Sequence, residues 1–227
     1  MSWLSRILRY SGTANERAAA WRALPDADLS LPHDRARYVV IDVETTGLDL
    51  RRDRIIAIGA VAVNNLLIDF SDCIEVLLKQ ETVSPNANIL IHGIGGQAQL
   101  SGLEPADGLL DFLNYLGESP LVAFRAEFDQ TMLTRAVTRA LGDRLRHPWM
   151  DLAWFLPALY PNAGCESLDD WLTRFNVSVF KRHHALGDAF ATAQLLQIVL
   201  RTAEQGGMKT ARQLGQMERA QKFPVHF

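Results

Sequence analysis

Apolar and polar positions follow two different rhythms along this chain. Tyr38 to Val43 and Ile55 to Asn64 are near-continuous apolar, β-branched runs, which predict two buried strands. Asn64-Asn65 suggests a hairpin turn, a third strand is expected from about Leu67, and a further strand over Ile74 to Leu78. Pro85 to Gly96 reads as a loop containing Ile91-His92-Gly93-Ile94. From Pro105 the period lengthens. Leu109, Phe112, Leu113 and Leu116 share one face of a helix over Pro105 to Leu116. Phe128, Met132, Leu133, Ala136, Val137 and Ala140 do the same over Glu127 to Leu141. Between these helices, Leu121 to Phe124 is a short apolar strand. Another helix begins over Asp151 to Leu156, after Pro148. Ser167 caps a helix running to Phe175, with Asp170 three residues on. Leu186 to Leu200 is a long helix with Ala189, Phe190, Ala193 and Leu196 turned inward. Strands first, then helices interleaved with a strand, predict an α/β fold: a mixed sheet with helices packed on it.

The ends are organised differently. Residues 1–36 read as a helical arm and linker. Trp3, Leu4, Ile7 and Leu8 have helical spacing with Arg6 and Arg9 on the other side, and a second short helix is expected over Glu16 to Leu24. Pro25 and Pro32 bracket a polar linker. The arm is expected to dock on the domain's surface; a partner- or membrane-surface helix is the alternative. Residues 37–204 form the main domain. Gly206-Gly207 introduces a polar C-terminal segment, residues 205–227, with one more helix expected from Lys209.

Composition narrows the setting. The net charge of −3 provides no global positive field, so a polyanionic partner must be met by a local basic patch or by bound metal. Cys73 and Cys165 are too far apart to suggest a metal motif or a disulfide framework, which points to a reducing compartment. No run reaches the roughly 18 apolar residues of a membrane helix. The first ten residues lack the apolar core and cleavage pattern of a signal peptide. A cytoplasmic protein without membrane contact is the expectation.

The chemistry concentrates in Val39-Val40-Ile41-Asp42-Val43-Glu44-Thr45-Thr46-Gly47. Strand residues i and i+2 point to the same face, so Asp42 and Glu44 stand side by side. Two carboxylates that close repel, and a bound divalent cation removes the conflict; hard oxygen ligands suit Mg²⁺ or Mn²⁺. The plain alternative is a strand end with two solvated acids before a turn. Asp129, in the first turn of its helix, has an ordinary reading as a dipole-complementing acid. Asp188 lies among Ala185, Leu186, Ala189 and Phe190, and an acid there needs a partner. His184 and Asp188 are i, i+4, a spacing compatible with a zinc pair. If the helix begins near Ala185, His183 falls in the preceding loop, free to reach a site. Periodicity does not choose between the two histidines.

Taken together, Asp42-x-Glu44-Thr45-Thr46-Gly47, then Phe128-Asp129, then His183-x-Ala185-x-x-Asp188-Ala189 resemble the DEDDh 3′–5′ exonucleases. These are the DnaQ-like enzymes, which include the proofreading, DNA polymerase III epsilon-like subunits. The resemblance covers roughly Arg37 to Leu200, and Ile91-His92-Gly93-Ile94 and Met150-Asp151-Leu152 also resemble stretches of that family. It implies a ribonuclease-H-like fold, a five-stranded mixed sheet with helices on both sides. One departure stands out: the family's His-Asn before Phe-Asp is replaced by Phe124-Arg125. That bears on substrate contacts more than on the reaction, and Arg125 could meet a phosphate.

The resemblance also implies roles. Two divalent cations, Mg²⁺ or Mn²⁺, would act together about 3.5–4 Å apart. Asp42, Glu44 and Asp188 would hold the first, Asp42 would bridge to the second, and Asp129 would contribute to it. His183 would be the general base, a task suited to an imidazole near neutral pH. Thr45, Thr46, Gly47 and Leu48 would meet the terminal nucleotide, with Leu48 a wedge against its base. Phe128 is a further contact, and His92 is either another or a histidine that caps its own loop. The substrate implied is a single-stranded DNA or RNA 3′ end, cut to nucleoside 5′-monophosphates. Arg51, Arg52, Arg54, Lys181 and Arg182 could track the strand. The terminal segments are the candidate surface for a polymerase or other protein partner. Two other readings compete: a non-catalytic nucleic-acid or polymerase-binding module, and a zinc protein using His183, His184 and Asp188.

Overall fold

The computed structural model describes residues 12–179 and 182–222. At its centre is β1 (Arg37–Thr45), flanked by β2 (Ile55–Asn64) on one side and β4 (Leu121–Ala123) on the other. The sheet order is β3-β2-β1-β4-β5, with β3 over Leu67–Leu77 and β5 over Trp149–Asp151. β1, β2 and β3 run antiparallel, whereas β1, β4 and β5 run parallel. This is a five-stranded mixed sheet of the ribonuclease-H-like kind.

The continuous apolar runs of β1 and β2 have their cause in the two layers that cover them. Tyr38 and Val40 point into a core shared with Leu152, Phe155, Trp171, Leu195 and Leu196. Val39, Ile41 and Val43 point into the other, shared with Leu109, Phe112, Leu113, Met132 and Leu133. Strands buried on both faces need apolar residues at every position rather than at alternate ones. The first layer contains α6 (Leu152–Leu159), α7 (Leu168–Arg174), α8 (Ala185–Gln205) and α9 (Ala211–Lys222). The second contains α4 (Pro105–Leu116) and α5 (Glu127–Leu141), with α1 (Ala14–Arg22) lying against α4.

Several expectations are corrected. The strands expected from Leu67 and over Ile74–Leu78 are one strand, interrupted in its pairing. Val63 pairs with Ile68 and Val61 with Cys73, so residues 69–72 stand opposite Ala62 alone. That polar bulge, Asp69-Phe70-Ser71-Asp72, is what splits the apolar pattern. The expected loop Pro85–Gly96 contains helix α2 (Asn86–His92), followed by α3 (Gly96–Leu100). Its pattern is hidden because Leu90 and Ile91 are exposed. Residues 149–151 form β5 before the helix starts, and Phe124 belongs to the turn after β4.

The arm residues that are described lie against the domain. Thr13 and Glu16 form a capping box at the start of α1, Trp21 is buried, and Arg17 pairs with Asp111 at 2.5 Å. The helix expected around Trp3, Leu4, Ile7 and Leu8 lies outside the described residues, as do Lys181 and the end of the C-terminal segment.

Candidate active site

Three elements bring acids to the same end of the sheet. Asp42 and Glu44 lie at the C-terminal end of β1 on the face that α8 covers. Because β4 is parallel to β1, the helix that follows it, α5, starts at this end and carries Asp129 in its first turn. Asp188 occupies the first turn of α8. Both helix starts favour negative charge beside them. Ligand oxygens of Asp42, Glu44 and Asp188 all lie within 4.8 Å of one another, and no other group of this kind occurs among the described residues.

The close approach of α8 depends on a residue the sequence reading passed over. Gly59 pairs with Asp42 across the β1–β2 ladder. A Cβ on Gly59 would stand 2.1 Å from the backbone of both Ala185 and Leu186. The missing side chain lets the first turn of α8 rest on the sheet beside Asp42. A lone glycine inside an otherwise apolar strand is the signal that could have revealed it.

The electrostatics are those of crowded acids. Burial, followed by the charges of Asp129, Glu44 and Asp188, holds the Asp42 carboxyl well above the usual aspartate range. Glu44 is pushed up to about 7, by burial first and by Asp188 second. Asp129 is also raised to about 7 by burial; backbone N–H groups of Asp129 itself and Val43 oppose the rise, and Asp151 and Glu44 add to it. Arg182 is the counterweight: its guanidinium donates to Asp188 Oδ1, lies 3.0 Å from Asp169, and pulls Asp42 and Glu44 downwards. An all-oxygen set of partly buried acids with so little positive charge among them fits a hard divalent cation.

The two histidines separate cleanly. Helix α8 begins at Ala185 with His184 as its N-cap residue, so His183 lies in the preceding loop, exposed, with φ of 55°. Its backbone N–H donates to Asp188 Oδ2 at 2.8 Å, which ties the loop to the acid cluster. His184 turns elsewhere: its Nδ1 is 3.5 Å from Glu75 on β3. The competing zinc trio of His183, His184 and Asp188 does not form among the described residues, since the acid cluster includes neither histidine.

The loop after β1 is folded by Asp53, a second residue the sequence reading missed. Its carboxylate accepts from the Thr46 hydroxyl at 2.8 Å and from the Asp49 N–H at 2.7 Å. A side chain at Gly47 would collide with that carboxylate at 2.5 Å. Thr45 donates its hydroxyl to the Gly47 carbonyl at 2.6 Å. Leu48 projects from this loop as an apolar tip, 84% exposed.

The remaining expected contacts differ in character. Phe128 is half-buried against the β1 core. His92 is buried, and its Nδ1 accepts the Ile94 N–H at 3.0 Å while Nε2 has no hydrogen-bond partner among the described residues. Asn88 on the same helix reaches the Thr45 carbonyl at 3.4 Å. Arg125 is exposed at φ 58°, its N–H held by Asp151 at 2.8 Å and its guanidinium 3.1 Å from the Glu166 carbonyl. Asp151 also accepts the Ala153 N–H at 2.9 Å, so one buried carboxylate fastens both the turn before α5 and the start of α6.

A five-stranded mixed sheet of the ribonuclease-H-like kind, with carboxylates clustered at the carboxyl end of its central strand, defines the class of fold. The comparisons with known proteins are more specific. Residues 39–196 match the family model RNase_T, described as Exonuclease, and the chain belongs to that family. Among curated proteins it is similar to the DNA polymerase III PolC-type of Thermotoga petrophila, 32% identical over 162 residues, and to that of Bacillus subtilis, 30% identical over 173 residues. These matches cover 71% and 76% of this chain but only 12% of either relative. Among solved structures, E. coli Exonuclease I in complex with a dT13 oligonucleotide aligns with a TM-score of 0.65 at 16% identity, over 76% of this chain and 43% of that one. Exonuclease X in complex with 5′ overhanging duplex DNA aligns with a TM-score of 0.64 at 22% identity, over 80% of this chain and 99% of that one. Those two likenesses establish the fold. No helix among the described residues is long and apolar enough to cross a membrane.

Proposed function

We propose that the chain is a 3′–5′ exonuclease that shortens single-stranded DNA or RNA ends and releases nucleoside 5′-monophosphates. The observation that carries this reading is the mutual approach of Asp42, Glu44 and Asp188 within 4.8 Å, in a chain of the exonuclease family. Asp42, Glu44 and Asp188 would hold one divalent cation, and Asp129, with Asp42 shared, a second. Divalent cations, Mg²⁺ or Mn²⁺, supply an activated water and charge neutralisation at the leaving 3′ oxygen.

The chain's own groups do the rest. His183, exposed in a loop whose backbone is tethered to Asp188, would take the proton of the attacking water. The Asp53-braced loop holds Thr45, Thr46 and Gly47 beside the acids and presents Leu48 as the surface against which the terminal base stacks. Phe128, His92 through its free Nε2, and Arg125 line the approach as further substrate contacts. Arg125 stands where the family has His-Asn, so a cationic contact replaces a neutral one and favours a phosphate. The dT13 oligonucleotide in the Exonuclease I complex supports the choice of an unpaired end.

The test is digestion of 5′-labelled single-stranded DNA, single-stranded RNA and a mismatched primer-template, with Mg²⁺, Mn²⁺ or chelator. A metal-dependent ladder shortening from the 3′ end is expected, and Asp42→Ala should lower it by at least about a thousandfold with the fold intact. Residual activity of Asp42→Ala within about tenfold of wild type would remove the assignment.

A further inference from the structure

A separate cleft of about 330 Å³ opens where the foot of the Gly47–Arg54 loop meets α4 and α5. None of Asp42, Glu44, Asp129 or Asp188 lines it. Its accessible apolar walls are Pro105, Ala106, Ala136 and Ala140, backed by the buried side chains of Leu109 and Met132. Its rim carries four cations, Arg54, Lys79, Arg135 and Arg139, against two acids, Glu81 and Glu104. A concave apolar surface of this size with a few convergent polar groups is the usual form of a small-molecule site, roughly 300–1,000 Å³.

The rim charges are available to a ligand. Arg54 meets Glu81 at 3.3 Å and Lys79 meets Glu104 at 2.6 Å, but both pairs are largely exposed and so contribute little. Arg139 is exposed and has no partner among the described residues. Arg135 donates to the Leu50 carbonyl with one arm of its guanidinium, which leaves further N–H groups for an anion. The two facing apolar walls suit a flat apolar body. The rim asks for an anion, and guanidinium forks match phosphate geometry.

A nucleotide has both parts. We infer that this cleft is a second nucleotide site, with the base between the Pro105–Ala106 and Ala136–Ala140 walls and the phosphate among Arg54, Arg135 and Arg139. The choice of a nucleotide over other apolar anions rests on the exonuclease reading above, which places strands and mononucleotides at the protein. The occupant is either a free nucleoside monophosphate or a nucleotide farther along the bound strand; the phosphate chemistry is shared. Arg135 also holds the Leu50 carbonyl and Arg54 lines the cleft, so the cleft adjoins the loop that carries Leu48.

Calorimetric titration of the full chain in chelator separates the possibilities. The probes are deoxyadenosine monophosphate, dT4 and dT12, and the variants are Arg139→Glu and the double change Arg135→Gln with Arg139→Gln. If free nucleotide is the occupant, the monophosphate binds wild type and each variant weakens it at least tenfold. If the strand is the occupant, dT12 binds at least tenfold tighter than dT4 and each variant removes that difference. Binding of all three probes unchanged in both variants, or no binding of any, overturns the inference. Hydrolysis of a labelled strand with Mg²⁺ by the same wild-type preparation reports on the exonuclease reading independently, so either conclusion can fall without the other.

Discussion

Asp42 is where the charges of the site converge, and its protonation couples the site to the stability of the fold. Glu44 and Asp129 titrate at about 7 in the folded chain against ordinary values of 4.5 and 3.8, and Asp42 lies well above 3.8. Between these limits the folded chain holds protons that the unfolded chain has released. Their contribution therefore favours the fold fully below about pH 4 and is lost as pH rises through about 7. Thermal melts in chelator should show Tm falling from pH 5 to pH 8. Mg²⁺ or Mn²⁺ should raise Tm more at pH 8 than at pH 5, because ionised carboxylates are the ligands. A larger metal effect at pH 5 would count against these acids as the metal site. The histidines provide a second test at the same scale. His183→Ala should lower kcat by about 10²–10⁴ with KM little changed, the usual range for a lost general base. His184→Ala, whose ring faces Glu75, should change it by less than about fivefold. The reverse order would exchange their roles. Strand alternation alone placed Asp42 beside Glu44. It had no means of choosing between His183 and His184, because the choice depends on where α8 begins.

At the scale of elements, the site is assembled by how closely one helix lies on the sheet. Helix α8 contributes Asp188, and Gly59 is the gap that lets it approach. In Gly59→Ala the new methyl would meet backbone atoms at 2.1 Å, and a helix backbone has no rotamer by which to yield. The expected result is a loss of about 1–3 kcal/mol of stability, typical of overpacking, together with at least about a hundredfold loss of hydrolysis and a reduced Tm gain from metal. Gly215→Ala is the control. Gly215 sits in α9 with open space around it, and the change should stabilise by about 0.5–1 kcal/mol without touching activity. A Gly59→Ala chain that melts lower yet keeps its metal response would show that α8 can retreat without moving Asp188. The sequence made the long elements legible because β1, β2, α4 and α5 each carry one unbroken hydrophobic period. It hid the short ones: β5 has three residues, α2 exposes Leu90 and Ile91, and β3 is interrupted by a polar bulge. Gly59 and Asp53 were overlooked for another reason, since a missing side chain and a loop-bracing carboxylate leave no periodic trace.

Across the whole molecule, residues 13–36 and the segment leading into α9 pack on the same domain and on each other. The linker after α1 pairs with the approach to α9: the His33 N–H donates to the Lys209 carbonyl and the Arg212 N–H to the Leu29 carbonyl, both at 2.9 Å. The buried His33 ring meets the Tyr38 hydroxyl at 2.6 Å, at the start of β1. Trp21 stacks on His147 with ring centres 6.4 Å apart, and Arg22 pairs with Asp143 at 2.5 Å. Residues 13–36 thus act as a brace between the α4–α5 layer and α9. None of the contacts described for them involves Asp42, Glu44, Asp129 or Asp188. Removing residues 1–36 should then separate stability from chemistry. Losing the burial of Trp21 alone costs about 2–3 kcal/mol, which for a domain of this size lowers Tm by about 5–10 °C. Hydrolysis of a short labelled strand at 20 °C should stay within about threefold of the full chain, and the Tm gain from Mg²⁺ should be retained. An unchanged Tm would mean that the brace adds nothing to the fold. A lost metal response at unchanged Tm would mean that the arm reaches the carboxylates, which would make it part of the active site.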